Sequence, residues 1–230
     1  MKILLEICAG SIASALAAQE GGADRIELCA ALSEDGLTPG YGTIKEVKRR
    51  LSIPVHLLVR PREGDFIYSP EEVAVICEDI YAAKDLGVEG VVCGALDKYG
   101  CIDMAAMERI MKAARGVSFT FHRAFDVCKN PYEAMDLLLH MGINTLLTSG
   151  QAATAKEGVG LIQELVAMAQ PHGVTIMPGC GVNSSNIAGI VAATGAGVVH
   201  LSAKKKIKTH TQTDAAEVRA CKEALHSIIN

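Results

Sequence analysis

Charged side chains stand inside a predicted β-strand near the N-terminus of this chain. In that strand Ile26 and Leu28 share one face, because successive side chains of a strand point to opposite faces. Arg25, Glu27 and Cys29 share the other face. Strands of a buried parallel sheet are usually apolar on both faces, and buried charges are costly unless they are paired or used. We therefore interpret the polar face as the lining of a functional site.

The same alternation recurs in four further predicted strands, where the apolar set suits packing under helices and the polar set should face a barrel axis. The inward sets are Glu6 and Cys8 in the first strand, His56, Leu58 and Arg60 in the third, Thr120 and His122 in the fifth, and Val198, His200 and Ser202 in the eighth. Carboxylates, imidazoles and a guanidinium from separate strands would then meet near the C-terminal strand ends, where barrel enzymes hold their chemistry.

This convergence predicts acid–base chemistry. If Glu6 and Glu27 lie side by side, mutual repulsion raises the pKa of one of them, so that one acts as an acid and the other as a base. His122, with a carboxylate four positions later, is a further candidate for proton transfer. The candidate catalytic residues are Glu6, Glu27, His122, His56, Asp126 and His200.

Arginines and glycine-rich loops at the same strand ends predict recognition of an anion. Guanidinium groups bind carboxylate or phosphate through paired hydrogen bonds, and glycine-rich backbone at a helix N-terminus offers amide donors. Barrel phosphate sites are commonly built by the loops after strands seven and eight. The candidate substrate-binding residues are Arg25, Arg60, Arg62, Arg123, Thr148, Ser149, Gly150, Gly179, Gly181 and Ser202.

Two structural alternatives to these site assignments stay open. In the first, Arg25 and Arg60 neutralise Glu6 and Glu27 in a buried ion network that only fills the barrel. In the second, the arginine and the aspartate of the segment 123–126 form an ordinary surface pair.

Eight predicted strands alternate with eight predicted helices, which is the (β/α)8 pattern of the TIM barrel, an α/β fold. The predicted strands are Ile3–Cys8, Arg25–Cys29, Val55–Arg60, Gly90–Gly94, Ser118–His122, Thr145–Ser149, Thr175–Pro178 and Val198–Ser202. The predicted helices are Ser11–Glu20, Tyr41–Leu51, Ser69–Leu86, Met104–Ala114, Pro131–His140, Thr154–Ala169, Ser184–Ala193 and Asp214–Ile228. No linker or composition shift divides the chain, so we expect residues 1–230 to form one domain. A doubly wound open sheet is the alternative.

The composition argues against several classes of function. A formal net charge of −4 and the absence of Trp argue against a nucleic-acid partner, and the basic run Lys204–Lys208 is interpreted as a solvated loop. The eight cysteines contain no Cys-x-x-Cys pair, so a zinc ribbon or a thioredoxin motif is not supported. No signal-peptide pattern or membrane-spanning apolar run is found, so we expect a cytoplasmic protein with reduced cysteines and no membrane partner.

Cys8 and Cys29 lie at the ends of adjacent predicted strands, where their sulfurs could meet. Two soft thiolates would suit Cu(I). Packing alone is the alternative, because free cysteine is often buried as a small apolar residue.

Several segments, spread through nearly the whole chain, resemble the CutC family, which is long named for copper homeostasis. In chain order they are Gly21–Cys29, Arg60–Arg62 with Gly64–Phe66, Thr120–Asp126, Leu147–Gly150, and Met177–Gly179 with Gly181. The resemblance implies a cytosolic barrel that is a homo-oligomer (a dimer or tetramer) and is assigned to copper handling. It also implies that Cys8 and Cys29 stand where the family's copper-binding thiols fall. The chain departs from the family after the eighth strand, where the stretch 203–213 is short and Lys-rich.

Three functions remain open. The first, which follows the resemblance, is a cytosolic copper-binding protein that uses Cys8 and Cys29. The second, which follows the inward polar residues, is a barrel enzyme such as an isomerase or lyase that acts on a small anionic metabolite. The third is a non-catalytic scaffold or oligomeric binding module.

Overall fold

Short segments with alternating burial become the strands of the barrel, and amphipathic segments become the helices around it. The computed structural model describes residues 3–207 and 210–229. The barrel strands are β1 Leu4–Ala9, β2 Arg25–Leu28, β3 Val55–Leu58, β4 Gly90–Cys93, β5 Ser118–Phe121, β6 Thr145–Thr148, β7 Thr175–Pro178 and β8 Val198–Leu201. The helices are α1 Ile12–Glu20, α2 Tyr41–Arg50, α3 Pro70–Asp85, α4 Met104–Ala113, α5 Pro131–Met141, α6 Val159–Ala169, α7 Ile187–Thr194 and α8 Ala215–Ile229.

The eight strands form one parallel sheet that curls back on itself. Hydrogen-bonded neighbours follow the order β7-β6-β5-β4-β3-β2-β1-β8, and β7 contacts β8. The contact between β7 and β8, which stand at the two ends of this order, closes the sheet and excludes the open-sheet alternative. The sheet is a nearly closed barrel with alternating helices, which confirms the predicted TIM-barrel fold.

The register of the first strands decides which polar side chains become neighbours. Glu6 stands opposite Arg25 on β2 and opposite His200 on β8. Glu27 stands opposite Cys8 on β1 and opposite His56 on β3. Because parallel strands with this register point the same way in the barrel, the inward positions of β1, β2, β3 and β8 are brought together.

The apolar faces of the strands form the core beneath the helices. Leu5, Ile26 and Phe121 are fully buried and belong to one apolar cluster with helix residues such as Ile76 and Ile80. Burial of each such side chain contributes roughly 1.5–3 kcal/mol. This outer core leaves the inner faces of the strands free to carry polar groups.

Local signals set the helix ends where the sequence predicts them. At the start of α3 the Ser69 hydroxyl accepts from the Glu72 amide, and the Glu72 carboxylate accepts from the Ser69 amide. Asn130 caps α5, and Gly142 ends it in the left-handed conformation at φ +73°.

Two helices start later than predicted: α6 at Val159 instead of residue 154, and α7 at Ile187 instead of residue 184. Thr154 in the first stretch and Asn183 at the second accept from local backbone amides through their side chains, which favours turns.

The described part of the basic run after β8 is one strand of an antiparallel β-hairpin, which corrects the prediction of a loop. β9 Lys204–Ile207 pairs antiparallel with β10 His210–Thr213, and Lys204, Lys205 and Lys206 are exposed. Lys208 lies outside the described residues. The Thr213 amide donates to Ser14 Oγ on α1 at 3.2 Å, which attaches the hairpin to the barrel beside its mouth.

No helix within residues 3–207 and 210–229 combines the length and the apolar character needed to cross a bilayer.

Candidate functional site

A cavity of about 730 Å³ opens at the C-terminal ends of the barrel strands. We call it the mouth cavity. Its lining includes Cys8, Glu27, Arg60, His122, Arg123, Asp126, Gly181, His200 and Ser202. The structure therefore brings predicted site residues from most of the strand ends together at one end of the barrel.

His200 joins two buried glutamates at the wall of this cavity. Its Nδ1 lies 2.7 Å from Oε1 of Glu6, and its Nε2 lies 3.4 Å from Oε2 of Glu27. Arg25 Nε donates to the other carboxylate oxygen of Glu6. Glu6 is fully buried, and these two partners satisfy a charge that would otherwise be costly to bury.

The three groups Glu6, His200 and Glu27 all have shifted pKa values. Burial alone would raise the pKa of Glu6, but the hydrogen bond from His200 and the charge of Arg25 lower it to about 2. Burial raises the pKa of Glu27; attraction to His200 works against this rise, and the smaller repulsion from Glu6 adds to it. Burial alone would lower the pKa of His200, but Glu27 and Glu6 together raise it. Glu6 is thus held anionic, Glu27 is the more easily protonated carboxyl, and His200 lies between them.

His56 lies beside Glu6 but makes no hydrogen bond to it. Its Nδ1 lies 3.9 Å from Oε2 of Glu6 and has no hydrogen-bond partner. Burial lowers the pKa of His56 to about 4, so the ring is neutral at neutral pH and the contact is not an ion pair. The ring packs against Gly90, where an added Cβ would lie 2.6 Å from its Cδ2.

Cys8 and Cys29 place two thiols side by side. Their Sγ atoms are 3.4 Å apart, and both residues are buried free cysteines. The hydrogen bond with Cys29, burial and the charge of Glu27 raise the pKa of the Cys8 thiol. Ligand atoms of Cys8, Glu27 and His200 lie within 4.8 Å of one another, so these groups could hold one metal ion. Glu6, bound to the other nitrogen of His200, would orient this imidazole as carboxylates orient metal-binding histidines elsewhere.

Arg60 does not neutralise either glutamate. Its guanidinium donates to the carbonyls of Glu34 at 2.7 Å, Gly36 at 3.0 Å and Gly64 at 2.8 Å. The buried ion network considered from the sequence is therefore present only in part, with Arg25 on Glu6. Arg60 instead ties the loop after β2 to the loop after β3 while it lines the mouth cavity.

His122 lies on the wall of the cavity near Arg60. The Ala124 amide donates to its Nδ1 at 3.2 Å, and its buried Nε2 has no partner. Burial and the charge of Arg60 lower the pKa of His122 to about 3. The ring is therefore neutral, and with Nδ1 accepting, its proton is assigned to Nε2.

The loop after β6 uses its donors on the protein's own carboxylate. Asp126 accepts from the Thr148 hydroxyl, from the Ser149 amide at 3.0 Å and from Arg123 Nε at 2.8 Å. Gly150, at φ +72°, lets the chain pass close to Gly158, where a Cβ would meet a carbonyl oxygen at 2.4 Å. The Asp126 carboxylate thus accepts from the donors of Thr148 and Ser149 that the sequence predicted to bind an external anion.

In the loop after β7, too, a carboxylate of the protein itself accepts hydrogen bonds from the loop. The Ser184 amide and hydroxyl donate to the Glu217 carboxylate at 2.8 and 3.0 Å, so a side chain of α8 takes the donors at this turn. Gly179 packs against Leu147, and Gly181 has φ +71°. These two glycines shape the turn, and Gly181 lines the cavity.

Arg62 and Ser202 differ in how they meet the cavity. Arg62 is bound to Glu72 at 2.6 Å and to Asp65 at 2.9 Å and does not line the mouth cavity within the described residues. Ser202 lines the cavity, and its carbonyl accepts from the Thr213 hydroxyl at 3.3 Å.

Sequence reasoning did not select several cavity residues, among them Phe66, Cys180, Asp214 and Glu217. Phe66 stood inside a recognised segment, 64–66, and could have been chosen on that ground. Glu217 carries no local signal, because only the packing of α8 beside α7 brings it to the Ser184 turn.

Comparisons with known proteins agree with this structure. The CutC family model matches residues 3–205. A CutC family protein of Bacteroides thetaiotaomicron is 47% identical over 209 residues, which cover 90% of this chain and 84% of that protein. A solved CutC protein of Streptococcus agalactiae, which bears the name of a copper homeostasis protein, is 33% identical with a TM-score of 0.82, over 86% of this chain and 97% of that chain.

A more distant likeness concerns the fold alone. Phosphoribosylanthranilate isomerase of Pyrococcus furiosus is 14% identical with a TM-score of 0.62, over 98% of this chain and 99% of that chain. The family match over residues 3–205 and the close relatives show that the chain belongs to the CutC family.

Proposed function

We propose that this protein binds Cu(I) through Cys8 and Cys29 and takes part in copper handling in the cytoplasm. The observation that carries the proposal is the 3.4 Å separation of the two Sγ atoms, with Cys8 in the lining of the mouth cavity. Soft thiolates favour Cu(I) over harder cations. The name of the Streptococcus agalactiae relative supports the same assignment.

The surroundings of the two thiols suit a metal ion. His200 offers Nε2 on the side of Cys8, and its other nitrogen is held by Glu6, so the imidazole is already oriented. All eight cysteines, which lie within the described residues, are free thiols, and this agrees with a reducing compartment. Cys180 lines the same cavity, but its Sγ donates to the Ala153 carbonyl at 3.2 Å.

A competition titration tests this proposal. The reduced protein, Cys8→Ala and Cys29→Ala are titrated with Cu(I) against a chromogenic Cu(I) chelator, and Cys180→Ala serves as the matched control. We expect one tight site in the parent and the control, and its loss in each of the other two variants. An affinity that stays unchanged in Cys8→Ala would end the copper proposal.

We also propose that residues 1–230 fold as one domain that assembles into a homo-oligomer. The family resemblance supports this assembly. Size-exclusion chromatography with light scattering gives the mass in solution, and a monomer at micromolar concentration would contradict it.

A second candidate function is acid–base catalysis, and the relation of His200 to its two glutamates favours it. Glu27 and His200 line the cavity, whereas Glu6 holds the far nitrogen of the imidazole. A carboxyl with a raised pKa beside an imidazole is suited to proton transfer to and from a bound molecule.

Deuterium exchange separates the two candidate functions. A panel of small carbonyl compounds and sugar phosphates is incubated with the protein in D₂O, and incorporation at carbon is followed by proton NMR. Acid–base catalysis predicts exchange that Glu27→Gln abolishes and Cys29→Ala retains. Exchange that is absent for the whole panel, or equal in Glu27→Gln, would remove this candidate.

A further inference from the structure

We propose that the wall of the mouth cavity formed by Arg60 and His122 binds the acidic group of a small organic anion, either a carboxylate or a phosphate ester. This anion is the substrate of the acid–base function proposed above, and in that respect the inference rests on the proposed function. Binding itself requires neither turnover nor copper, because it uses neither Cys8 nor Cys29.

Arg60 is a buried cation whose charge is not balanced by an anion. The residue is only 4% exposed, and its three hydrogen bonds all go to backbone carbonyls. No carboxylate of the described residues comes within ion-pair distance of it, and its Nε has no partner. A buried charge without a counter-ion is costly, so an anion from solution would be favoured at this wall.

His122 supplies a donor that the fold leaves unused. Its Nδ1 accepts from the Ala124 amide, so the neutral ring carries its proton on Nε2, which is buried and unpartnered. Buried polar atoms without partners are rare in folded proteins. The lowered pKa of His122 keeps this donor present, without a positive charge, throughout the neutral pH range.

Phe66 holds these two side chains in one wall. Its ring centroid lies 5.0 Å from Cζ of Arg60 and 4.8 Å from the centroid of the His122 ring. An apolar ring beside the guanidinium and the imidazole takes the place of water on that side of each group. In such surroundings a charge-assisted hydrogen bond is stronger than in open solvent.

Most other charges around the cavity are already paired. Arg123 binds Asp126 at 2.8 Å, and Lys205 binds Asp214 at 2.8 Å. Two further carboxylates line the cavity: Glu27, beside His200, and Glu217, which accepts from Ser184. Within the described residues the lining also keeps Arg60, with the exposed Lys204 and Asp35. The Ser149 amide after β6 and the Ser184 amide after β7 are taken by Asp126 and Glu217, whereas Arg60 and His122 keep a charge and a donor for an incoming anion.

Binding of simple anions to the metal-free protein tests this inference. Inorganic phosphate and acetate are each titrated by calorimetry and by melting temperature, with sodium chloride at equal ionic strength as the reference. We expect saturable binding of at least one probe and a rise in melting temperature. The probe that binds more tightly identifies the acidic group as phosphate or carboxylate.

Variants locate the anion. Arg60→Met and His122→Asn should each weaken binding by about tenfold or more, since each removes a buried donor to a charged group. Arg62→Met is the matched control, because Arg62 lies just beyond Pro61 and outside the cavity, and it should bind as the parent does. Unchanged binding in both His122→Asn and Arg60→Met would overturn the inference, as would the absence of saturable binding in the parent.

A spectroscopic measurement on the unsubstituted protein keeps the test decisive if Arg60→Met does not fold. Phosphate or acetate should shift the ring nitrogen resonances of His122 in the ¹⁵N-labelled protein. Ring resonances that do not move at saturation would overturn the inference. Because no copper and no substrate are present, failure here is distinct from failure of the copper site or of catalysis.

Discussion

Nδ1 of His200 lies 2.7 Å from Oε1 of Glu6, although the two residues are 194 positions apart in the chain. The pairing of β8 with β1 creates this contact, and it turns the opposite nitrogen of His200 towards Glu27 and Cys8. The same imidazole therefore belongs to the proposed metal site and to the proposed proton path.

Glu6→Gln tests how much the barrel depends on this contact. Removing the buried charge leaves Arg25 and His200 without their anion, and we expect a loss of about 3 kcal/mol in the free energy of unfolding. The pKa of His200 should fall as well, because Glu6 is one of the groups that raise it. Urea unfolding and NMR titration of His200 measure the two effects.

The matched control for Glu6 is Glu46→Gln. Glu46 pairs with Arg49 and Arg50 on the exposed surface of α2. Solvent screens this pair, so unfolding should stay close to that of the parent. Equal destabilisation by the two substitutions would contradict a special role for the Glu6 contact.

Cu(I) binding should release protons and tighten as pH rises. Cysteine ligands bind metal as thiolates, and the pKa of the Cys8 thiol is raised, so a proton must leave it on binding. We expect the apparent affinity to increase by about tenfold per pH unit for each proton released, between about pH 6 and 8. Competition titrations at several pH values give the slope, and an affinity independent of pH would exclude the thiols as ligands.

His122 should destabilise the fold in acid. Its folded-state pKa of about 3 lies below the ordinary value of 6.5, so between these values the unfolded chain binds a proton that the native chain does not. Stability then falls as pH decreases from about 6.5 towards 3, by about 1.4 kcal/mol per pH unit for this one group.

His122→Asn should remove that contribution to the slope. Urea unfolding of the parent and the variant between about pH 4 and 6.5 gives both slopes. Taking their difference cancels the contributions of the other groups, such as His56 and Glu27. Parallel slopes for the two proteins would show that His122 titrates normally in the folded state.

Gly150→Ala should disrupt the loop that holds Asp126. The left-handed conformation costs an alanine about 1–2 kcal/mol, and the new Cβ would also meet the Gly158 carbonyl oxygen at 2.4 Å. Gly142→Ala is the control, because Gly142 has nearly the same φ, +73°, with no atom within 4 Å of the added Cβ. Melting temperatures that fall equally in the two variants would show that the close approach to Gly158 has no cost.

Local pattern was sufficient to predict the barrel and the direction of its polar residues. Alternation in Arg25–Leu28 and in the other strands identifies an inward polar face, because the side-chain period of a strand is two. Ser69, Pro70 and Asn130 mark helix starts through hydrogen bonds made within a few residues. Such features depend on short-range geometry, which the sequence of a segment determines by itself.

Only the tertiary structure decided which polar groups are partners and which are left free. Arg60 and Arg62 look alike in the sequence. Arg60 lines the cavity and donates to backbone carbonyls, whereas Arg62 is paired with Glu72 outside the cavity. Asp126 and Glu217 fill donor sites that the sequence offered to an external anion, and the run after β8 became a hairpin. These outcomes depend on strand register and on helix packing between residues far apart in the chain, where no local pattern carries the information.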